Sequence, residues 1–279
     1  MKLGFLTDYS PERVRFARAT GFDCLELHAQ PGAALDGQDW QSVKRTLDEE
    51  GITVSALACY FNHLEEGKEE ERAAHFQEVL KAAPRLGCDV VATMGGCTAA
   101  SRESGNIEDS LESFEKIFRR HAKVAQDSGV KIAFENWPGG HPAPLLINIA
   151  VSPAAWDKMF DAVPSPAMGL EYDPSHLVRL NIEPIAPIKR FAARIHHVHA
   201  KDTTIKTEVL NEVGYIGQDW WHYSIPSLGV VDWNAMFDAL REIGYDSGVC
   251  IEHEDPNYMD DNFDEGLRIG QKFLSQFVK

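Results

Sequence analysis

Residues 131–136 read KIAFEN, a short apolar run that ends at the carboxylate of Glu135. The same pattern returns in MGLEYDPSH (168–176), RIHHVHAKD (194–202) and GVCIEHED (248–255), where it ends at Asp173, His199 and Glu252. Three carboxylates and one imidazole form a ligand set that divalent cations bind. Because the carboxyl ends of parallel strands meet at one edge, the four segments predict parallel strands with a metal site at those ends.

Strand-like segments alternate with helical patterns along the chain. We predict strands at about residues 2–7, 23–28, 52–59, 89–94, 130–135, 168–173, 195–200 and 248–253. Apolar side chains at helical spacing predict a helix over 107–128. Glycines at the expected helix ends precede four of the strands: Gly21, Gly51, Gly87 and Gly129. This order of elements predicts an α/β fold in which each strand is followed by a helix.

Eight strand–helix units in 279 residues predict a (β/α)₈ TIM barrel, which typically takes about 250 residues. We expect a single domain over residues 1–279. An open doubly wound sheet is the rival, and it usually carries a GxGxxG turn after its first strand. This chain has TDYSPERV (7–14) at that position, which favours the barrel.

Side-chain alternation along the strands supports the same conclusion. If Glu135, Asp173, His199 and Glu252 all point into the barrel, their neighbours Phe134, Tyr172, Val198 and Ile251 all point outward, where helices cover the strands. By the same alternation, Glu26, His28, His197 and Glu254 point inward. Carboxylates that face one another in a barrel need a neutralising charge, and a divalent cation supplies it.

Composition limits the partners. The net charge is −16, from 27 basic and 43 acidic residues, which argues against nucleic acid. The five cysteines form no CxxC pair and fit a reducing compartment. The chain begins with a segment unlike a signal peptide and has no apolar run long enough to cross a membrane. We therefore expect a cytoplasmic protein with no membrane partner.

Two connections are longer than a barrel needs. Residues 138–150 contain His141, and residues 203–228 contain a cluster of aromatic side chains that includes Trp220. Both follow predicted strands, so both lie at the face where TIM-barrel active sites are found. We expect a lid whose aromatic rings contact a sugar, and the alternative is a surface or subunit contact in a homo-oligomer.

Several motifs resemble the xylose-isomerase-like TIM-barrel superfamily, also called the sugar phosphate isomerase/epimerase family. They are FEN (134–136), YDPSH (172–176), HVHAKD (197–202), VDW (231–233) and IEHED (251–255). The family includes ketose 3-epimerases, hydroxypyruvate isomerase and inosose dehydratase, and the resemblance covers essentially the whole chain. It implies an enzyme that acts on a sugar or polyol.

The resemblance also implies roles for individual residues. Glu135, Asp173, His199 and Glu252 would bind one divalent metal ion, Mn²⁺, Mg²⁺, Co²⁺ or Zn²⁺. Glu135 and Glu252 would also form the catalytic acid/base pair, and His176 would contact the substrate. The 3-epimerases follow their metal-binding histidine with a glutamate and then an arginine, whereas this chain has Lys201 and Asp202. That departure leaves room for a dehydratase.

The predicted substrate-binding residues are His176, Lys201, His197, Asn136, His28 and Trp220. For His197 the alternative is a hydrogen-bonded barrel residue, and for Lys201 it is a salt bridge to Asp202 or Glu254. We expect a metal-dependent isomerase or epimerase that removes a proton beside a carbonyl of a non-phosphorylated sugar or keto-polyol and forms an enediolate. The alternatives are a dehydratase of an inosose or 3-keto sugar, an endonuclease IV-like nuclease and a non-catalytic sugar-binding barrel.

Overall fold

The computed structural model describes residues 1–139 and 146–278. Eight parallel strands close into a barrel: β1 (Lys2–Thr7), β2 (Cys24–His28), β3 (Thr53–Ala58), β4 (Val90–Thr93), β5 (Lys131–Glu135), β6 (Met168–Tyr172), β7 (Ile195–Ala200) and β10 (Gly248–Ile251). All eight predicted strands are confirmed, each within two residues of its predicted ends. His141, in the first predicted lid, lies outside the described residues.

Helices follow the barrel strands in the predicted alternation. They are α1 (Pro11–Thr20), α2 (Trp40–Glu50), α3 (Glu69–Ala82), α4 (Ala99–Ser104), α5 (Glu108–Ser128), α6 (Pro153–Ala162), α7 (Pro174–Arg179), α8 (Ala186–Arg190), α9 (Thr207–Val213), α10 (Trp233–Glu242) and α11 (Phe263–Leu274). The four predicted glycines end their helices in the left-handed region, with φ values between 67° and 86°. Closed strand order and surrounding helices confirm the (β/α)₈ barrel.

The main hydrophobic core lies between the barrel and its helices. Phe134 of β5 faces outward and packs against Phe114 and Phe118 of α5, with ring centroids 5.6 and 5.0 Å apart. On the other side of the same strand end, Glu135 is buried with His199 of β7 nearby. The alternation predicted for β5 is thus observed. It puts apolar side chains under the helices and polar ones inside the barrel.

Two β-bulges interrupt the regular register of the barrel. Between β2 and β3, Leu25 pairs with Val54 and Glu26 with Ala56, so that Ser55 has no partner in the register. Between β6 and β7, Leu170 pairs with Ile195 and Glu171 with His197, which skips one residue of β7 in the same way. Bulges of this kind redirect neighbouring side chains and are common beside active sites.

The connection after β7 contains structure that the sequence did not predict. Strands β8 (Asp202–Ile205) and β9 (Trp221–Ser224) form an antiparallel hairpin, and α9 lies between them. We call residues 202–231 the lid segment. Its two ends are joined by one side chain, because the carboxylate of Asp202 accepts hydrogen bonds from the backbone N–H groups of Thr203, Ser227 and Val231.

None of the helices that the structure describes is both long enough and apolar enough to span a bilayer.

Candidate metal and substrate site

The four residues of the predicted metal site meet at the carboxyl ends of β5, β6, β7 and β10. His199 Nδ1 lies 3.2 Å from Glu252 Oε2, 3.9 Å from Glu135 Oε1 and 3.9 Å from Asp173 Oδ2. His199, Glu135 and Asp173 are buried, and the Glu252 side chain is largely buried. Residues separated by more than 110 positions in sequence are therefore within reach of a single ion.

His176 joins these residues from the first turn of α7. Its Nε2 lies 2.9 Å from Glu135 Oε1 and 3.4 Å from Asp173 Oδ2. Its Nδ1 is 2.7 Å from the hydroxyl of Tyr223 in β9. The lid segment thus contacts the site directly. We call Glu135, Asp173, His176, His199 and Glu252 the upper cluster.

Four buried atoms of the upper cluster have no hydrogen-bond partner within the described part of the chain: Glu135 Oε1, Asp173 Oδ2, His176 Nε2 and His199 Nδ1. The short His176–Glu135 contact lacks hydrogen-bond geometry. One ligand atom each from Glu135, Asp173, His176 and Glu252 lie within 4.8 Å of one another. Buried polar atoms without partners are costly. Oxygen and imidazole nitrogen donors that converge in this way fit a divalent cation.

Local hydrogen bonds hold one oxygen of two carboxylates and leave the other for the cluster. Asp173 caps α7 through Oδ1, which accepts from Ser175 N at 2.7 Å, while Oδ2 faces the cluster. Glu135 Oε2 accepts from the backbone N–H of Trp137, while Oε1 faces the cluster. Asn136 bridges the two strand ends, since its amide accepts from Asp173 N at 2.8 Å and donates to Asp173 O at 2.9 Å. Asn136 therefore positions Asp173 in this structure.

Lys201 supplies a buried positive charge beside the upper cluster. Its ammonium group contacts Glu252 Oε2, lies 2.8 Å from Glu254 Oε2 and 3.3 Å from Asp173 Oδ2, and sits over the ring of Tyr223. The salt bridge to Glu254, given above as an alternative role for Lys201, is observed, and Glu252 is a second partner. Asp202, the other predicted partner, instead anchors the lid segment.

The charges of the upper cluster shift one another's pKa. Burial and the charge of Glu252 raise the pKa of Glu135 to about 8. Burial would raise the pKa of Glu252, but the charges of Lys201 and His199 hold it well below its usual range. Burial, assisted by Lys201, lowers the pKa of His176 to about 3. The pKa values of Glu135, Glu252 and His176 thus differ widely. Such a difference between neighbouring groups lets one act as an acid and another as a base.

A second polar layer lies deeper in the barrel, directly under His199. We call Glu26, Tyr60, Glu171 and His197 the lower layer. Glu26 Oε2 lies 2.8 Å from His199 Nε2. The hydroxyl of Tyr60 contacts Glu26 Oε1 at 3.0 Å and Glu171 Oε2 at 2.5 Å, and His197 Nδ1 contacts Glu171 Oε1 at 2.9 Å. Each of these groups is bonded to another member of the layer or to His199.

The two carboxyl groups of the lower layer differ in proton affinity. Burial would raise the pKa of Glu26, but the positive charges of His199 and His197 lower it to about 2. Burial and the charge of Glu26 raise the pKa of Glu171 well above its usual range. The shifts run in opposite directions, and Glu26 is the carboxyl group that contacts His199.

The other predicted substrate contacts differ in their surroundings. His197 is fully buried, and both ring nitrogens have partners, Glu171 and the Ser55 hydroxyl at 3.1 Å, which supports the alternative of a hydrogen-bonded barrel residue. His28 lies at the end of β2, and its ring is nearly perpendicular to that of Tyr60, with centroids 6.4 Å apart. Trp220 is buried against Tyr215 and Trp221 in the lid segment. A substrate contact by His28 or Trp220 remains a prediction.

Three residues in or beneath the upper cluster were not predicted from the sequence: Glu171, Tyr60 and Tyr223. Glu171 had a readable signal, because it lies two residues before Asp173 on the same strand and therefore points into the barrel. Tyr60, just beyond the end of β3, had no such signal. Tyr223 lies within the aromatic cluster predicted for residues 203–228, but its contact with His176 depends on the hairpin, which the sequence did not predict.

The family of the chain follows from its match to a family model. The model described as "Xylose isomerase-like TIM barrel" matches residues 14–277, so the chain belongs to this family. It is also similar to a protein of Bacillus subtilis, the uncharacterized protein YfiH, with 26% identity over 323 aligned positions that cover 100% of this chain and 99% of that protein. An inosose dehydratase of Clostridium beijerinckii is 25% identical over 160 positions, which cover 55% of this chain and 50% of the dehydratase.

Solved structures share the fold over almost the full length. The IolI protein, crystallised with a bound zinc atom, gives a TM-score of 0.77 at 21% identity and covers 100% of this chain and 98% of its own. The 3-keto-D-glucoside 4-epimerase YcjR of E. coli gives a TM-score of 0.76 at 16% identity, with 99% of each chain covered. At these identities the likeness concerns the fold.

Proposed function

We propose that the protein is a metal-dependent isomerase or epimerase of a non-phosphorylated sugar or keto-polyol, with residues 1–279 as one catalytic domain. The observation that carries the proposal is the convergence of buried donor atoms in the upper cluster, four of which have no hydrogen-bond partner among the described residues. Membership in a family with epimerases and dehydratases among its relatives supports an enzyme that acts on a small polar molecule.

Glu135, Asp173, His199 and Glu252 would hold the ion, Mn²⁺, Mg²⁺, Co²⁺ or Zn²⁺. When bound, a divalent ion supplies Lewis acidity to a carbonyl oxygen and so acidifies the adjacent C–H group. His176 is the nearest additional donor, since its Nε2 lies 2.9 Å from Glu135 Oε1. Its position suits a contact with a substrate hydroxyl or carbonyl. The fixed Tyr223 contact at its Nδ1 would hold the ring in place.

Glu135 and Glu252 are the proposed acid/base pair. One carboxylate removes the proton from the carbon beside the carbonyl, which leaves an enediolate of the substrate. Return of a proton to the opposite face of the same carbon gives an epimer, and return to the neighbouring carbon gives the aldose or ketose isomer. Buried Lys201 lies beside Glu252 and Asp173 and would stabilise negative charge that develops there.

A dehydratase of an inosose or 3-keto sugar is the second candidate. Lys201 favours it, because its buried ammonium group lies at the site and would donate a hydrogen bond to a leaving hydroxyl. In this reaction the same carboxylate removes the α-proton, and the β-hydroxyl leaves with a second proton as water. The similarity to an inosose dehydratase over about half of that enzyme points the same way.

Both candidates can be tested in one experiment. The protein loaded with Mn²⁺ or Co²⁺ is incubated in D₂O with a panel of ketoses, 3-keto glycosides and keto-inositols, and the products are followed by NMR and mass spectrometry. Deuterium at the α-carbon without loss of water supports the isomerase or epimerase. Loss of one water with a new enone absorbance supports the dehydratase. Neither result across the panel would contradict both proposals.

Matched variants link the activity to the site. Glu135→Gln and Glu252→Gln should each abolish deuterium exchange. Glu183→Gln, which alters an exposed carboxylate that caps the start of α8, should leave exchange unchanged. We further propose that the protein is cytoplasmic. We also propose that it binds no nucleic acid, because its charge of −16 repels phosphate backbones.

A further inference from the structure

His199 belongs to both polar layers of the barrel. Its Nδ1 faces Glu252, Glu135 and Asp173 in the upper cluster. Its Nε2 faces the lower layer, 2.8 Å from Glu26 Oε2. Because a carboxylate only accepts hydrogen bonds, Nε2 is the nitrogen that carries the hydrogen, and the lone pair of a neutral ring is on Nδ1.

The lower layer also has the composition of a cation site, since ligand atoms of Glu26, Glu171, His197 and His199 lie within 4.8 Å of one another. The two layers differ in how these atoms are satisfied. In the lower layer, each carboxyl oxygen and each ring nitrogen that faces it has a hydrogen-bond partner. In the upper cluster, four atoms lack one within the described ranges. The polar atoms of the lower layer therefore already have hydrogen-bond partners, and this layer supports His199 from below. The upper cluster is where an ion would be held.

The backbone is shaped to hold this support. The bulge at Ser55 lies beside Glu26, and the other bulge lies beside Glu171. Ser55 also turns its hydroxyl toward His197 Nε2, at 3.1 Å, and toward Leu25 O, at 3.3 Å. Two departures from regular register at the same level of the barrel, each next to a carboxyl group of the lower layer, indicate a built feature of the fold.

We propose that Glu26 is a positioning residue for the metal centre, which fixes the tautomer and ring orientation of His199 so that the Nδ1 lone pair is presented to the ion. This inference rests on the metal site proposed above. Tyr60 holds the other oxygen of Glu26, and Glu171 contacts Tyr60 in turn. His197 links Glu171 to Ser55 in the barrel wall. A carboxylate that accepts from the distal nitrogen of a ligating histidine also makes that histidine a stronger donor.

Metal affinity measures this role separately from turnover. Zn²⁺ and Co²⁺ alone are titrated into the full chain in competition with a chromogenic chelator. Glu26→Gln should weaken binding about 10-fold and Glu26→Leu about 100-fold. Glu171→Gln is the matched control, because Glu171 is equally buried and bonded to the same tyrosine, but its nearest oxygen is 3.5 Å from His199 Nε2. It should change affinity less than about threefold, even where it lowers Tm as much as the Glu26 variants do.

The tautomer can be read in the parent protein, which avoids any variant that fails to fold. In Zn²⁺-loaded protein labelled with ¹⁵N-histidine, we expect the His199 ring to show a metal-bound Nδ1 and a protonated Nε2, with His199→Gln used for assignment. A metal-bound Nε2 would overturn the inference, as would Glu26→Leu protein with the parent's affinity. If the parent protein binds neither ion, the metal site itself is wrong and the inference falls with it.

Discussion

Lys201 Nζ and Glu254 Oε2 lie 2.8 Å apart at the mouth of the barrel, and the two side chains differ sharply in exposure. The lysine side chain is 1% exposed and that of the glutamate 46%. Solvent screens the exposed partner, so Glu254 contributes little to the balance of charge. The buried ammonium is balanced mainly by Glu252 and Asp173, two of the proposed metal ligands.

Removal of the Lys201 ammonium group should therefore lower the free energy of unfolding most in metal-free protein. Lys201→Met leaves two buried carboxylates without their counter-charge, and we expect metal-free protein to lose about 3 kcal/mol of unfolding free energy. Saturating Mn²⁺ should restore part of this, so that the metal-induced rise in Tm is larger for the variant than for the parent. Lys206→Met, at an exposed lysine of the lid segment, is the control. An equal or smaller rise for Lys201→Met would contradict this account.

The two histidines of the upper cluster should contribute unequally to metal binding. His199 has a charged partner, Glu26, at its distal nitrogen, whereas His176 has the neutral hydroxyl of Tyr223. We expect His199→Gln to weaken Co²⁺ binding about 100-fold and His176→Gln less than about 10-fold. Isothermal titration with Co²⁺ measures both, and the reverse order would make His176 the ligand.

Asp202 should matter for the lid segment and for stability. Its Oδ1 accepts from Thr203 N and Val231 N, and its Oδ2 accepts from Ser227 N and the indole N–H of Trp233. In Asp202→Asn, an NH₂ group replaces one of the two carboxylate oxygens. In either orientation of the amide, this NH₂ group faces two N–H donors and cannot accept their hydrogen bonds. We expect a loss of about 3 kcal/mol in urea unfolding.

Metal affinity of Asp202→Asn should remain that of the parent, because Asp202 does not face the upper cluster. Asp246→Asn, at an exposed aspartate, should have no effect on stability. Gly229→Ala should resemble Asp202→Asn, since an added Cβ would lie 2.1 Å from Asp202 Oδ1. Parent-like stability in both of these lid variants would show that the segment is held elsewhere.

A histidine of the outer core should make stability depend on pH. His121 packs between Phe76 and Phe118, and burial lowers its pKa to about 3. Between that value and the ordinary pKa of about 6.5, the unfolded chain binds a proton that the folded protein does not, so stability falls as the pH falls. This one group should cost about 2 kcal/mol between pH 7 and pH 5.

Denaturant unfolding of parent and His121→Gln at pH 7 and pH 5 isolates this effect. The variant should lose less stability on acidification, by that amount. Identical pH dependence in His121→Gln and the parent would contradict the assignment.

The barrel and the main site were predictable because each depends on local pattern. Three local features predict strand β5: an apolar run, Gly129 before it and the break into polar residues after Glu135. Alternation then places Glu135 inside and Phe134 outside, as observed. The bulges beside Glu26 and Glu171 depend on pairing between distant strands, and no single segment encodes that pairing. The lower layer was therefore missed as a unit, although Glu26 was correctly placed inside the barrel.

The lid segment was predicted as a loop for a related reason. Its hairpin pairs Asp202 with Ser224 and Ile205 with Trp221, across 15 or more intervening residues, and neither strand shows a clear apolar alternation. The intervening helix α9 has no buried side chain, so it has little apolar pattern to detect. The aromatic residues alone predicted a lid in this segment. They did not predict which ring contacts His176.

The anchoring of the lid segment at Asp202 has a consequence for how such an enzyme can be altered. Asp202 directly follows Lys201 in the sequence. It pairs with Ser224 in the hairpin, and its carboxylate accepts a hydrogen bond from Ser227 N. Residues 207–219 form the tip beyond the hairpin, which the Lys206 N to Trp220 O hydrogen bond closes. A tip of different length and composition grafted between Lys206 and Trp220 would leave buried Trp220 and the upper cluster in place, which makes this stretch the natural place for a library that seeks new substrates.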